Sequence, residues 1–451
     1  MQVNITDFGA APESLNNAPA IQKAIDAVRT QGGTVVIPRG TFVSGTLWLY
    51  SGITLHLDQG AVLKGSTQMG DYPTTGLNHN ELGPVKGLLI ADHADDLVIE
   101  GDGQIDFSGP SFFDFKHANN PQFEKQVDSL PGNLNDEFAV KIMERPTTMV
   151  FLWHCTHLTI RDVHFKDAAS WDLVLTDCDD VKIEHISISS TQRLPNDDGI
   201  HLGSCHNVII HGCNIVTGDD CIAITGIADW LGESHDIVID SCLLSSVSAA
   251  VRIGYWRSQV RNVQITNCRI HESGRGILIH ANNSGYVKDV MISNISYTAK
   301  PRAGAWWGRG EAVFILAVPY DIADQMDKPR THHDVTPNIQ GITIHDLHAV
   351  APTGIVMVGE NHNITDVHVH HVDLTIIDNR AEAVLGTHLD LSPVQRHIPS
   401  PQDTAYWLYA ENVDGAVIED VTLHNALHAP ETELQLRTIN DKHFAVAFEE
   451  V

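Results

Sequence analysis

Little in this sequence is aromatic or basic. Phe, Trp and Tyr make up 6% of 451 residues, and Lys plus Arg number 28 against 57 Asp plus Glu, a formal charge of −29. So negative a chain repels nucleic acid, acidic membrane surfaces and long polyanions, and no nucleic-acid or membrane partner is expected. No apolar run approaches a membrane span, and no basic, apolar leader precedes the strand-like residues 1–9, from which a cytoplasmic protein is expected. The seven cysteines, an odd number without paired or CxxC spacing, exclude a disulfide framework and a zinc-type cluster. No Pro/Ser-rich linker or low-complexity tract divides the chain, so residues 1–451 are expected to form one domain.

What is present is one short phrase, repeated. His206-Asn207-Val208-Ile209-Ile210-His211-Gly212-Cys213 returns in outline as Asp236-Ile237-Val238-Ile239-Asp240-Ser241-Cys242 and as Asn262-Val263-Gln264-Ile265-Thr266-Asn267-Cys268. The first apolar place falls at Leu97, Leu158, Val181, Val208, Ile237, Val263, Val290, Ile342, Val367 and Ala416, with most intervals between about 23 and 29 residues. From Val290 to Ile342 and from Val367 to Ala416 the interval is about 50 residues, close to double the period. Within each unit apolar and polar residues alternate and then meet Asn, Asp, Gly or Ser, the pattern of a short strand that buries one face, and helical spacing is missing. Such strands are stable only when stacked on their neighbours. The expected fold is therefore all-β, a parallel β-helix, right-handed by the rule for parallel crossovers.

Cys213, Cys242 and Cys268 take the fifth place after the first apolar residue, where other units carry Val163, Ile186, Ile295, Leu347, Val372 and Val421. A thiol that exchanges with these is a buried small hydrophobe. Residues 1–60 are expected to hold the N-terminal cap and first coils, with Ile21, Ala24, Ile25 and Val28 on one face of a short helix that closes the open sheet end. Two stretches, 107–145 and 300–338, break the rhythm and are rich in aromatic, charged, Gly and Pro residues. Long excursions from a rigid scaffold build the walls of binding sites.

The chemistry lies in two acidic doublets. One is in Pro195-Asn196-Asp197-Asp198-Gly199-Ile200-His201-Leu202, the other in Thr217-Gly218-Asp219-Asp220-Cys221-Ile222-Ala223-Ile224. Registering Ile200 and Leu202 on Ile222 and Ile224 places Asp198 over Asp220 and Asp197 over Asp219. Crowded carboxyls raise one another's pKa, so a proton donor and an ionised base coexist near neutral pH. A lone aspartate most simply caps a turn; two stacked doublets ask for more.

At these residues the sequence resembles the polygalacturonase family, glycoside hydrolase family 28. Asp7-Phe8-Gly9-Ala10, Gly33-Thr34-Val35-Val36-Ile37-Pro38-Arg39-Gly40, Gly45-Thr46-Leu47, Gly101-Asp102-Gly103-Gln104-Ile105-Asp106, Arg145-Pro146 and Gly218-Asp219-Asp220-Cys221 are similar to that family in order. The resemblance implies Asp219 as the general acid and Asp198 and Asp220 as the carboxylates that activate water, with inversion where acid and base stand about 6.5–9.5 Å apart. Asn196 matches the family's Asn-Thr-Asp motif and Asp197 replaces its Thr. Two other motifs are altered. Ser248-Ala249-Ala250 stands for Gly-His-Gly, and Leu278-Ile279-His280 for the Arg-Ile-Lys that grips a galacturonate carboxylate.

In the same register His201, Ala223, Arg252 and Leu278 form one outward row, and Gly203, Thr225, Gly254 and His280 the next, so Arg252 and His280 are expected to face the groove. Trp306 and Trp307 offer flat faces for sugars, with Arg309 and Glu311 beside them to bond hydroxyls. Substrate binding is expected of these four and of Asn196, Asp197, His201, Arg252, Arg275 and His280. The 27 histidines, many at outward repeat positions such as His368 and His370, are read as structural or solvated. The expected activity is inverting hydrolysis of a pectin-derived galacturonan or rhamnogalacturonan-type glycan, without metal or cofactor. Its rivals are a Ca²⁺-dependent lyase using Arg252 or Arg275 as base, and a non-catalytic glycan-binding β-helix.

Overall fold

A computed structural model describes residues 1–115, 141–226, 230–300, 308–319, 336–378, 388–390, 397–399, 404–427 and 433–451. The chain divides into two compact units, 1–219 and 220–451.

In residues 1–219 three runs of parallel strands repeat coil after coil. Leu89–Asp92, Thr148–Trp153, Trp171–Thr176 and Ile200–Gly203 stack as one run. Val98–Glu100, Thr156–Arg161, Asp179–Glu184 and His206–His211 form the second, and Gln104–Asp106, His164–Lys166, Ser187–Ser189 and Asn214–Thr217 the third. In residues 220–451 Ile222–Thr225, Ala249–Ile253, Arg275–Ala281, Glu311–Ala317, Thr353–Gly359 and Thr404–Glu411 pair in parallel. Beside them run Ser234–Asp240, Gln259–Thr266, Tyr286–Ala299, Asn338–Ala351, Ile364–Ile376 and Val413–Asn425. This is a parallel β-helix, right-handed as parallel crossovers require.

The first apolar places are in register. Leu158 pairs with Val181 and Val181 with Val208, while Ile237, Val263, Val290, Ile342, Val367 and Ala416 form an unbroken line. Because Val290 pairs directly with Ile342, and Val367 with Ala416, each interval of about 50 residues is one coil carrying an insertion.

The residue before the first apolar place turns the corner. His157, Asp180, Asn207, Asp236, Asn262, Asp289 and Asp366 lie at φ between 51 and 57°, left-handed backbone that short polar side chains tolerate and β-branched ones do not. Corner amides also bond along the stack: Asn267 Nδ2 donates to Asp240 Oδ1 and Asn294 Nδ2 to Asn267 Oδ1, both at 2.7 Å. Many histidines join these ladders, as where His157 meets Asp95 at 2.7 Å and His371 meets Asp420 at 2.8 Å.

All seven cysteines are buried and none forms a disulfide. Besides the expected line there is a second, Cys155, Cys178 and Cys205, three places before Leu158, Val181 and Val208. The expected helix is Ala18–Val28, with Ile21, Ala24, Ile25 and Val28 buried and Pro19 in its first turn, where a missing N–H costs nothing. Ile90, Phe151 and Val174, in register, are covered by Val85 with Leu77 and Leu82, so part of the sheet that carries the acidic turn is apolar on its second face as well.

Candidate active site

In residues 1–219 the acidic turns are fixed from below by main chain. The N–H of Asp172 donates to the carbonyl of Asp198 at 2.8 Å and that of Leu173 to Gly199 at 2.9 Å, which anchors the Asn196–Asp198 turn on strand Trp171–Thr176. Asn196 makes the bend at φ 57°. Asp197, wholly buried, ties the two turns together: its Oδ2 accepts the Gly218 N–H at 3.1 Å and its carbonyl accepts the Asp219 N–H at 3.3 Å. Arg145 clamps the same turn, with Nη1 on the carbonyls of Ala169 (2.6 Å) and Pro195 (3.0 Å) and Nη2 on Asn196 Oδ1 (3.0 Å). Burial draws the Arg145 pKa down to about 10 although the Asp197 charge opposes it.

Asp198 is buried and meets Nδ1 of His201 at 3.4 Å. His201, expected on an outward row, is fully buried: its ring stacks on Trp171 at 3.8 Å and takes the edge of His79 at 6.3 Å. His79 is itself pushed down to about 3, by burial first and then by His201. Asp219 is only half-buried, whereas Asp197 and Asp198 are closed off. Water and a ligand therefore reach Asp219 most easily.

In residues 220–451 Asp220 is buried with both oxygens engaged. Oδ1 accepts the Ala249 N–H at 3.1 Å and Oδ2 accepts a short hydrogen bond from Arg252 Nε. Arg252, 5% exposed, also lies over the Tyr255 ring and donates to the Gly254 carbonyl at 3.3 Å. Its register with Ala223 and Leu278 is the expected one, yet Arg252 and His280 are both buried and not on an open row. Neither ring nitrogen of His280 has a hydrogen-bond partner, and burial, then Arg252 and Arg275, push its pKa down to about 3. Arg275 Nε donates to Glu311 Oε2 at 3.2 Å with both side chains 1% exposed, and the Arg309 N–H donates to the same oxygen at 2.9 Å. Leu278 belongs to an apolar cluster with Ala249, Phe314 and Leu316. Trp306 and Trp307 lie outside the described residues.

Three residues of the site went unassigned in the sequence. Arg145 was visible only as part of Arg145-Pro146, without a role. His79 and Asp172 carried no signal, since a single histidine in an irregular segment and a single aspartate in a strand have no repeat partner to mark them. Among the described residues, the grouping with metal-ligand spacing is Asp95, Asp96 and His157, three exposed residues of which Asp95 already bonds both His157 and the Thr156 hydroxyl.

The model of glycosyl hydrolases family 28 matches residues 29–300, well over half the chain and both acidic doublets. The chain belongs to glycosyl hydrolases family 28. Among relatives, a Vitis vinifera protein named a probable polygalacturonase is 25% identical over 329 residues, 68% of this chain and 62% of that one. The exo-poly-alpha-D-galacturonosidase of Dickeya chrysanthemi is 28% identical over 249 residues, 49% of this chain and 41% of that one. The chain thus spans less than two thirds of these relatives. Among solved structures, the Yersinia enterocolitica family 28 exopolygalacturonase has a TM-score of 0.67 at 18% identity, covering 99% of this chain and 78% of that one. The exopolygalacturonase of Thermotoga maritima has 0.64 at 20%, covering 83% and 87%. At such identities these two speak for the family 28 fold.

Proposed function

We propose that the chain is an inverting glycoside hydrolase that cleaves a pectin-derived glycan. The observation that carries the reading is family membership across residues 29–300 with Asp198, Asp219 and Asp220 kept in the family's order. Asp219, the half-buried carboxyl, protonates the leaving glycosidic oxygen. Asp198 and Asp220, both buried and hydrogen-bonded, stay fixed while they activate the water. Names of relatives bring galacturonan into the substrate class. Four features favour a less charged, rhamnose-containing oligosaccharide within it: Leu278 sits among apolar residues, His280 is neutral, Arg252 is spent on Asp220 and Arg275 on Glu311. A uronate carboxylate desolvated there gains no unshared cation from these four residues.

The test is a panel of pectic oligosaccharides, with and without chelator, read by NMR of the newly released reducing end. Saturated products of inverted anomeric configuration, indifferent to chelator, are expected, and Asp219→Asn should lower turnover by roughly 10²–10⁴-fold with the fold intact. Calcium-dependent growth of unsaturated-uronate absorbance assigns the chain to the lyases, and tight binding without turnover assigns it to the glycan binders.

A further inference from the structure

Two carboxyl groups beneath the acidic turns lack the partners that burial demands. Asp172 is 1% exposed and neither of its oxygens has a hydrogen-bond donor; Oδ1 of the wholly buried Asp197 lacks one too. The two side chains lie within hydrogen-bonding reach of each other. As two carboxylates they would repel in a site that supplies no solvation. A single proton removes the conflict. If Asp172 carries it, its O–H donates to Asp197 Oδ1, and two of the three orphaned atoms are satisfied at once. Asp197 is the natural acceptor, because it already receives the Gly218 N–H at 3.1 Å and the Ser190 side chain. The surroundings of the pair favour the proton as well: the Asp167 and Asp198 carboxyl groups add to the repulsion on Asp172, and Arg145 is the cation that faces Asp197.

We propose that Asp172 is a positioning residue of this hydrolase: as a neutral acid it donates a hydrogen bond to Asp197 and so fixes the turn bearing Asp198 against the turn bearing Asp219. The role rests on the hydrolase reading; the shared proton does not. Asp197 carries the connection between the turns through the Gly218 and Asp219 N–H groups, while the Asp172 main chain holds Asp198 directly. The family's Thr at position 197 would offer no carboxylate for such a donor, so the pair belongs to this chain's own Asn196-Asp197-Asp198 sequence.

An infrared difference spectrum between the wild type and Asp172→Asn at pH 7 reads the proton without any substrate. A protonated-carboxyl C=O band present in the wild type and lost in the variant is expected; its absence overturns the pair. Kinetics read the role. Asp172→Asn, whose amide still donates, should keep kcat within about threefold. Asp172→Leu, similar in size but without a donor, should lower kcat on the order of 10²-fold with KM little changed, the signature of misplaced catalytic groups. Equal losses in both variants overturn positioning by hydrogen-bond donation, and should Asp172→Leu fail to fold, the band and the Asp172→Asn kcat decide. A wild type that shows the band but turns over no glycan overturns the hydrolase reading and the role with it.

Discussion

His280 is a buried imidazole with two unpaired ring nitrogens, and its burial has a thermodynamic consequence. In the unfolded chain it titrates near 6.5, whereas burial and the adjoining Arg252 and Arg275 hold it at about 3 when folded. Below the unfolded value the unfolded state takes up a proton that the folded state refuses, so stability is lost as pH falls from 6.5 towards 3. Asp172 and Asp197, both raised by burial, act with the opposite sign: their contribution is complete below 3.8 and is lost as pH rises through their elevated values. The histidine effect is isolated by comparing the wild type with His280→Leu in urea unfolding from pH 7.5 to 4.5. The variant should gain on the wild type by about 1.4 kcal/mol for each pH unit below 6.5. Parallel stability curves would show that His280 titrates normally. At this scale the sequence was least legible. Asp197 and Asp198 stood out as a doublet, but Asp172 and His79 act through tertiary neighbours, and a pattern of spacing does not register a partner distant in the chain.

At the scale of strands and corners the sequence was most legible, because stacking forces each coil to repeat the same constraint. The apolar places at Val181 and Val208, and from Ile237 to Ala416, mark the register that the strands adopt, and the Asn, Asp and Gly before them are the corners. The interval of about 50 residues has a plain cause: residues 300–338, read in the sequence as an excursion, add about a coil's length without adding a coil, and Val290 still meets Ile342. Corner glycines give the second prediction. A Cβ on Gly218 would stand 2.2 Å from the Leu194 carbonyl oxygen and 3.3 Å from Asp197 Oδ2, so Gly218→Ala must displace backbone beneath Asp219. Overpacking of this kind costs roughly 1–3 kcal/mol. The expected result is a lower melting temperature together with a kcat reduced on the order of 10²-fold. Gly70→Ala, where the added carbon meets nothing within 4 Å, is the control and should change neither. Full activity in Gly218→Ala would mean that the turn is not held as tightly as its hydrogen bonds indicate.

For the whole chain the governing quantity is charge, which composition alone supplies: 28 basic against 57 acidic residues. A net charge of −29 sets up a repulsive field for any polyanion approaching from solution, and salt weakens that field beyond about 8 Å at physiological ionic strength. Salt does little among buried groups, where Arg252 is held by Asp220 and Arg275 by Glu311. The two effects are therefore separable. For polygalacturonate, kcat/KM should be low and should rise several-fold between about 10 and 150 mM salt, through KM, as long-range repulsion is screened. For a rhamnose-containing oligosaccharide carrying few uronates it should be higher and nearly flat over the same range. If salt left both substrates alike, the field would not govern access. If polygalacturonate were cleaved efficiently at low salt, and as well after Arg252→Ala, the acidic surface would be no barrier and a cation other than Arg252 would receive the uronate, which would return the substrate to unbranched galacturonan.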